Sequence, residues 1–331
     1  MEAVKKDLPA TTPLSQEQIV VATALGLFII FSIATDGFLS VDNLLSLLKN
    51  VSVLGVLALA MSVVVIGRGI DLAIVPVMVI STAFFLVLYN SGMSPLIAGA
   101  CGLGFALAVG LAQGVLIAYG EVPAIFATLA GGVAVYGFGQ FFLIEQDVNY
   151  LPDDATLLPF VGNTNALGIP LIVYALVLIA CAFHVFLRYT KFGRFVYAMG
   201  DNPAAARLAG ISVRTMTVLQ YILSSLTAFI GGLMTLASVS SMSTRIINST
   251  MVYDIILVVV IGGIGLNGGK GAVRNVLAGT VLIGILLNGM TLLDIPYSIQ
   301  SIVKGAILLL AILVDSYMNP RDEQTEKQGD I

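Results

Sequence analysis

Apolar residues run through this chain in long blocks, separated by short clusters of polar and turn-forming residues. The blocks lie at 19–34, 51–66, 72–88, 96–118, 124–144, 170–187, 216–239, 251–264, 272–292 and 298–317. None shows the strict alternation of a half-buried strand, which rules against the short strands of an outer-membrane barrel. A hydrocarbon core about 30 Å thick takes roughly 20 apolar residues in a helix. Lipid offers no water to backbone groups left outside one. The pattern therefore predicts about ten membrane-crossing helices, several of them short or broken by glycine and so tilted, re-entrant or split.

Composition agrees. Of 331 residues, 58% are hydrophobic and only 10% charged, with a mean hydropathy of +1.01; soluble proteins carry roughly 25% charged residues. The fold class is all-α, a polytopic membrane protein. Cys101 and Cys181 sit inside apolar runs without metal-ligand spacing and read as small packing residues. The polar stretch 1–18 is followed by an apolar run with no small-residue cleavage signal, so the first helix is expected to be retained.

Charge sets the expected orientation. With the N-terminus in the cytoplasm, the inner segments hold Lys5, Lys6, Arg68, Arg188, Lys191, Arg194, Arg207, Arg214, Lys270, Arg274, Arg321 and Lys327. The outer loops hold Lys49 and Arg245, and Lys304 lies within the last helix. Both termini then lie inside, as tails at 1–18 and 319–331 around a membrane domain at 19–318. The longest polar interruption, at 188–214, is basic and cytoplasmic. The longest outer loop, 145–169, is acidic and rich in turn residues; contact with an external partner and a solvated connector are both open readings.

Few side chains offer chemistry. The turn GRGID at Gly67–Asp71 joins two apolar runs; Gly67 and Gly69 allow a tight turn, and Asp71 can cap the next helix, or the turn can act as a hinge at an inner gate. Pro76 comes early enough in that helix to be tolerated while bending it. The run IGGIGLNGGKG at 261–271 spells G-x-G-x-x-G, but it follows a membrane span rather than a strand in a βαβ unit. A Walker loop also fails, since Ile264 and Gly271 occupy required Gly and Ser/Thr positions. Close backbone packing or an interrupted helix fits this run better, with Gly262 and Gly263 expected to serve beside Gly67, Gly69 and Asp71 as gate or hinge residues.

Ionisable residues within spans are Asp254, His184 and Lys304. Asp254 and His184 lie near span ends, where reaching for the interface is the cheaper explanation, while Lys304 lies deeper and can pair with Asp254 or Asp294. So few groups make no proton relay, sodium cage, catalytic set or metal site, which argues against an ion-coupled secondary transporter and against an enzyme. The residues call for no cofactor and no nucleic-acid partner.

Four ordered stretches carry a resemblance. NLLSLLKNVSVLGVLALAMSVVVIGRGIDLA is similar to a span followed by a G-G-I-D-L-S-V-G turn, and VPAIFATLAGGVAVYGFG at 122–139 to a V-P-A-F-I-A-T-L-G segment. TKFGRFVYAMGDNPAAARLAGI at 190–211 matches T-x-F-G-R-x-x-x-A-x-G-x-N-x-x-A-A-R-L-x-G-I most closely, and YDIILVVVIGGIGLNGGKGAV at 253–273 resembles a glycine-rich span and its exit. Together they resemble the permease subunits of bacterial ABC importers of the ribose/galactose/xylose type, in the branched-chain permease group. Arg68 departs from a usual Gly, Ala73 from Ser, Val75 from Gly and Pro76 from a small residue.

The resemblance implies a type II ABC importer-like fold in the bacterial inner membrane. It implies partners: cytoplasmic ATP-binding subunits, a second permease chain (identical or a paralogue) and a periplasmic or lipid-anchored solute-binding protein. The loop matching Gly200–Gly210 is implied to form a coupling helix that docks on the ATPase. Locally, Asn202 can cap, Pro203 suits a first helical position, Ala206 sits in a helix-forming run, Arg207 projects, and Gly210 ends the helix. The implied solute is a monosaccharide or related small polyol, with a nonsugar solute such as a nucleoside or a signalling furanone as the alternative. Asn50, Gln140 and Asn288 are expected along the path, as neutral hydrogen-bonding groups, with Gln113 and Gln300 available as well.

Overall fold

The computed structural model describes residues 16–318. The terminal tails, with Lys5, Lys6, Arg321 and Lys327, lie almost wholly outside that range. The helices are α1 (Gln16–Ala34), α2 (Val41–Ile66), α3 (Ile74–Asn90), α4 (Pro95–Ala118), α5 (Ala124–Phe138), α6 (Leu157–Asn163), α7 (Leu171–Tyr189), α8 (Lys191–Asp201), α9 (Pro203–Leu208), α10 (Val213–Val239), α11 (Met251–Ile261), α12 (Val273–Leu292) and α13 (Tyr297–Met318). Among the described residues, seven helices are long and apolar enough to cross a membrane, counting α5 with its continuation to Leu143. Three apolar stretches are shorter: α3, α11 and Tyr297–Leu313 of α13. These seven and three fall on the ten expected apolar blocks, α11 with only 11 residues.

The departures have local causes. α2 begins ten residues before its apolar block, because Ser40 caps it by accepting from the Asn43 N–H and the mixed polar and apolar turns that follow continue the helix. Lys49 and Asn50 therefore belong to a helix and not to a loop. α5 widens into a π-turn at Gly139–Leu143. The segment 145–169 is built: β1 (Val148–Tyr150) pairs antiparallel with β4 (Ser241–Ser243), Val148 opposite Ser243, while β2 (Asn165–Ala166) pairs with β3 (Ile169–Pro170). Among the described residues, these short ladders are the only strands.

α10 is the axis of the bundle, packed on α2, α3 and α4. Residues 51–66 of α2 are buried on every side, which explains why that block shows no amphipathic stripe. α4 meets α10 along a file of small residues, Gly102, Ala106, Gly110 and Gly114, all buried at four-residue spacing. A Cβ on Gly114 would meet the Val218 backbone at 2.7 Å, so the two helices approach as closely as small-residue files allow. α1 lies outside this core, against α12.

Contacts between connections define two ends. At the basic end, Arg214 pairs with Glu121 at 2.7 Å and Arg274 with Glu17 at 2.9 Å, both with exposed or half-exposed partners. At the opposite end, Thr244 donates to Asp147 and Asn90 to the Tyr150 carbonyl.

Candidate functional site

The basic end is where the glycine motifs meet. α8 starts at Thr190, whose Oγ1 accepts from the Gly193 N–H at 3.1 Å, and it buries Gly193, Val196, Met199 and Gly200 on one face. The chain then turns at Asn202. Its Oδ1 accepts from the N–H groups of both Ala204 and Ala205 at 3.0 Å, and Pro203 takes the first helical position, where it forfeits no hydrogen bond. Gly210 ends α9 with φ +81°, and the Ile211 N–H closes back onto the Ala206 carbonyl at 3.0 Å. Ala206 packs with Met199, Val213 and Met216, while Arg207 and Leu208 face outward, Leu208 at 92% exposure. The result is a short, capped knob with a mixed basic and apolar tip. Asn202→Ala is expected to cost about 0.5–2 kcal/mol of helix stability, read as faster amide exchange at Ala204 and Ala205.

Behind the knob, backbone meets backbone. A Cβ on Gly200 would run into the Ile66 carbonyl and the Gly269 N–H, and those two groups are themselves hydrogen-bonded at 2.8 Å. Tyr197 Oη donates to the Gly271 carbonyl at 2.7 Å, and burial raises its pKa, which keeps it a donor. Arg68 lies at φ +67°, a left-handed conformation that costs a side-chain-bearing residue roughly 1–2 kcal/mol. This is the position where the resembling motif has glycine. Here the Arg68 Nε donates to the Asn267 carbonyl at 2.9 Å, so the substituted side chain is used to tie the two turns together.

The GRGID turn is also bolted to α10. Cβ atoms on Gly67 and Gly69 would meet the Gln220 amide and the Tyr221 hydroxyl. Tyr221 donates to the Ile70 carbonyl at 3.1 Å. Asp71 is fully buried: Oδ1 accepts from the Ala73 N–H at 3.0 Å, and Oδ2 accepts from Ser224 Oγ at 2.6 Å. It thus tethers the start of α3 to α10 as well as serving its own turn. Gln220, Tyr221 and Ser224 are not among the residues the sequence singles out, although polar Gln220 and Ser224, four apart on one face of an apolar span, are a signal. Gly262 and Gly263 sit apart from this junction, against the Asn275 carbonyl of α12 and Gln16 of α1.

The three expected path residues divide. Asn50 and Asn288 line one cavity of about 340 Å³ between α2, α10, α11 and α12, together with Asp254, Thr235, Ser238 and Thr291. Asn288 also exchanges paired amide bonds with Asn43, at 2.8 and 3.0 Å. Gln140 lies elsewhere, donating to Thr244 Oγ1 at 2.9 Å in the tie at the opposite end. Gln113 is buried against Gly131, and Gln300 donates to the Ile295 carbonyl. Asp254 does not reach for the interface: its carboxylate is buried and paired with Lys304, whose Nζ is 2.9 Å from Oδ1 and 3.1 Å from Oδ2. His184 faces outward on α7, edge-on to Tyr189.

A family model described as the branched-chain amino acid transport system / permease component matches residues 43–312. This chain belongs to that permease family. The permease is 33% identical to the ribose import permease of Escherichia coli strain K12, over 91% of its own length and 94% of that relative's. It is 35% identical to the ribose import permease of Bacillus subtilis, over 88% and 91%, and 30% identical to an L-arabinose ABC transporter permease of Azospirillum brasilense, over 90% and 87%. No solved structure matches the chain. The permease is a multi-pass transport subunit of the inner membrane, and subunits of ABC importers work with ATPase and solute-binding partners.

Proposed function

We infer that this chain is the membrane-spanning permease of a binding-protein-dependent ABC importer for a monosaccharide or related small polyol. The observation that carries the reading is the capped knob at Pro203–Leu208, joined through Gly200 to the backbone of both glycine turns. Such a knob gives a soluble partner a rigid grip, and its root touches the ends of α2 and of the 262–272 connection. Loop 188–214 then faces the cytoplasm with both termini, and 145–169 faces outward. Closure of the ATPase pair moves the knob, the two turns follow, and the spans they join change tilt. Two permease chains enclose the path.

The fuel comes from the partners. The glycines of the 262–272 connection are taken up in packing: Gly268 lies against Arg68 and the Ile66 carbonyl, Gly269 against the Asp201 backbone, and Gly271 against Ile264. They join two helices, whereas a phosphate cradle sits between a strand and a helix. Sugar as the solute is supported by the ribose and arabinose relatives and by a cavity wall whose polar groups are mainly amides and hydroxyls.

The test uses proteoliposomes holding the permease, its ATPase and its binding protein. Arg207→Glu combined with Leu208→Ser is expected to lower ATP-driven ribose uptake at least tenfold and to release the ATPase during purification, with the chain still in the membrane. Unchanged co-purification and uptake would remove the docking role.

A further inference from the structure

Resting on the permease reading, we propose that Asp254, positioned by Lys304, is the group that grips solute hydroxyls in the cavity between α2, α10, α11 and α12, and that it sets the preference among polyols. The cavity is of a size with small-molecule sites, which run from roughly 300 to 1,000 Å³. Its wall joins aliphatic surface, from Val51, Leu54 and Leu287, to hydrogen-bonding groups, as a polyol with C–H and O–H faces requires.

Two observations single out the Asp254 side of that wall. First, Ser238 belongs to the same wall, and its Oγ is buried just behind the cavity surface with no hydrogen-bond partner among the described residues. Such a group is rare in folded proteins, and a rotation of the Ser238 side chain toward the cavity would give it a solute hydroxyl as partner. Second, Asp254 borders the cavity while Lys304 does not, so the ammonium approaches the carboxylate from the α13 side. A carboxylate has about four lone-pair sites. Lys304 Nζ donates to Oδ2 and to the Thr250 hydroxyl and lies 2.9 Å from Oδ1, which accepts no hydrogen bond among the described residues, so Oδ1 keeps acceptor capacity for solute O–H groups.

The pairing also suits a neutral cargo. Lys304 cancels the charge of Asp254, so the cavity holds a strong acceptor without a net field that would select cations. Tyr297 secures the arrangement, accepting from the Thr250 N–H at 2.8 Å and donating to its Oγ1 at 3.0 Å, with its ring 5.5 Å from the Lys304 ammonium. α11 and α12 are joined by the 262–272 connection that touches Gly200, so movement of the knob reaches this wall directly. Asp254 is assigned the contact with solute; Lys304 is a positioning residue.

The experiment compares uptake kinetics in proteoliposomes of the complete transporter, with ribose and its epimers as probes. The double variant Asp254→Asn/Lys304→Met keeps the wall free of an unpaired charge. It is expected to keep ATPase co-purification while its uptake KM rises tenfold or more and its preference among epimers flattens. A double variant with the parent's KM and preference would overturn the proposal, leaving the pair as a pin between α11 and α13. Should the double variant fail to assemble, Ser238→Ala decides: a KM raised about fivefold supports the site, and an unchanged KM overturns it. No uptake of any sugar by the unaltered transporter, despite ATP hydrolysis and binding-protein docking, would overturn the sugar reading along with the site.

Discussion

Gly200→Val is expected to uncouple the permease: uptake falls below a tenth of the parent's, while the chain stays in the membrane and still co-purifies with its ATPase. A side chain at Gly200 points into the Ile66 carbonyl and the Gly269 N–H, both backbone groups held by a mutual hydrogen bond. No rotamer change relieves that clash. Overpacking of this kind costs about 1–3 kcal/mol or more, and parting the two turns forfeits a further ~0.5–1.5 kcal/mol for the hydrogen bond. The exposed tip, Arg207 and Leu208, is untouched, so docking survives and only transmission is lost. Gly99→Val is the control, since a Cβ there meets nothing within 4 Å. Gly200→Val uptake within twofold of the parent would show that the contact transmits nothing.

The second large effect is on stability. Lys304→Met leaves the Asp254 carboxylate buried without its cation, and breaking a buried pair from one side costs about 3–5 kcal/mol. Replacing both members is often close to neutral, so Asp254→Asn/Lys304→Met is expected to regain most of the loss. Thermal unfolding in detergent reads the difference as a lower Tm for the single variant than for the double. Equal Tm values for parent and single variant would mean that the pair carries little energy in the folded chain.

Much of the fold was legible because lipid leaves so few options. An apolar block of span length must become a helix, and all ten blocks did. The errors fall where lipid is not the solvent. The start of α2 interleaves Val41, Leu44, Leu45, Leu47 and Leu48 with polar residues and so falls outside an unbroken apolar block, and the ladder between β1 and β4 joins segments far apart in the chain, a pairing with no local signature. The knob was readable for the opposite reason: Asn202, Pro203 and Gly210 act on their own neighbours within one or two turns. What remained hidden was convergence. Ile66, Gly200 and Gly269 meet through backbone atoms, which leave no trace in side-chain type beyond the glycines themselves. Asp71 with Ser224 is likewise a pair made by the packing of distant helices, and packing also decides that Lys304 takes Asp254 rather than Asp294. Gln140, expected along the path, joins two connections through Thr244, a contact that its residue type alone does not disclose.

The side of the membrane on which α9 lies is the point on which everything else rests. Replacing the native cysteines at 101 and 181 and introducing Leu208→Cys puts a single thiol on the exposed tip of the knob. In intact cells, a membrane-impermeant maleimide is expected to leave this thiol unlabelled and to modify it fully once the inner membrane is opened. Labelling of intact cells at the same rate as opened ones would place the knob outside, where no ATPase can reach it.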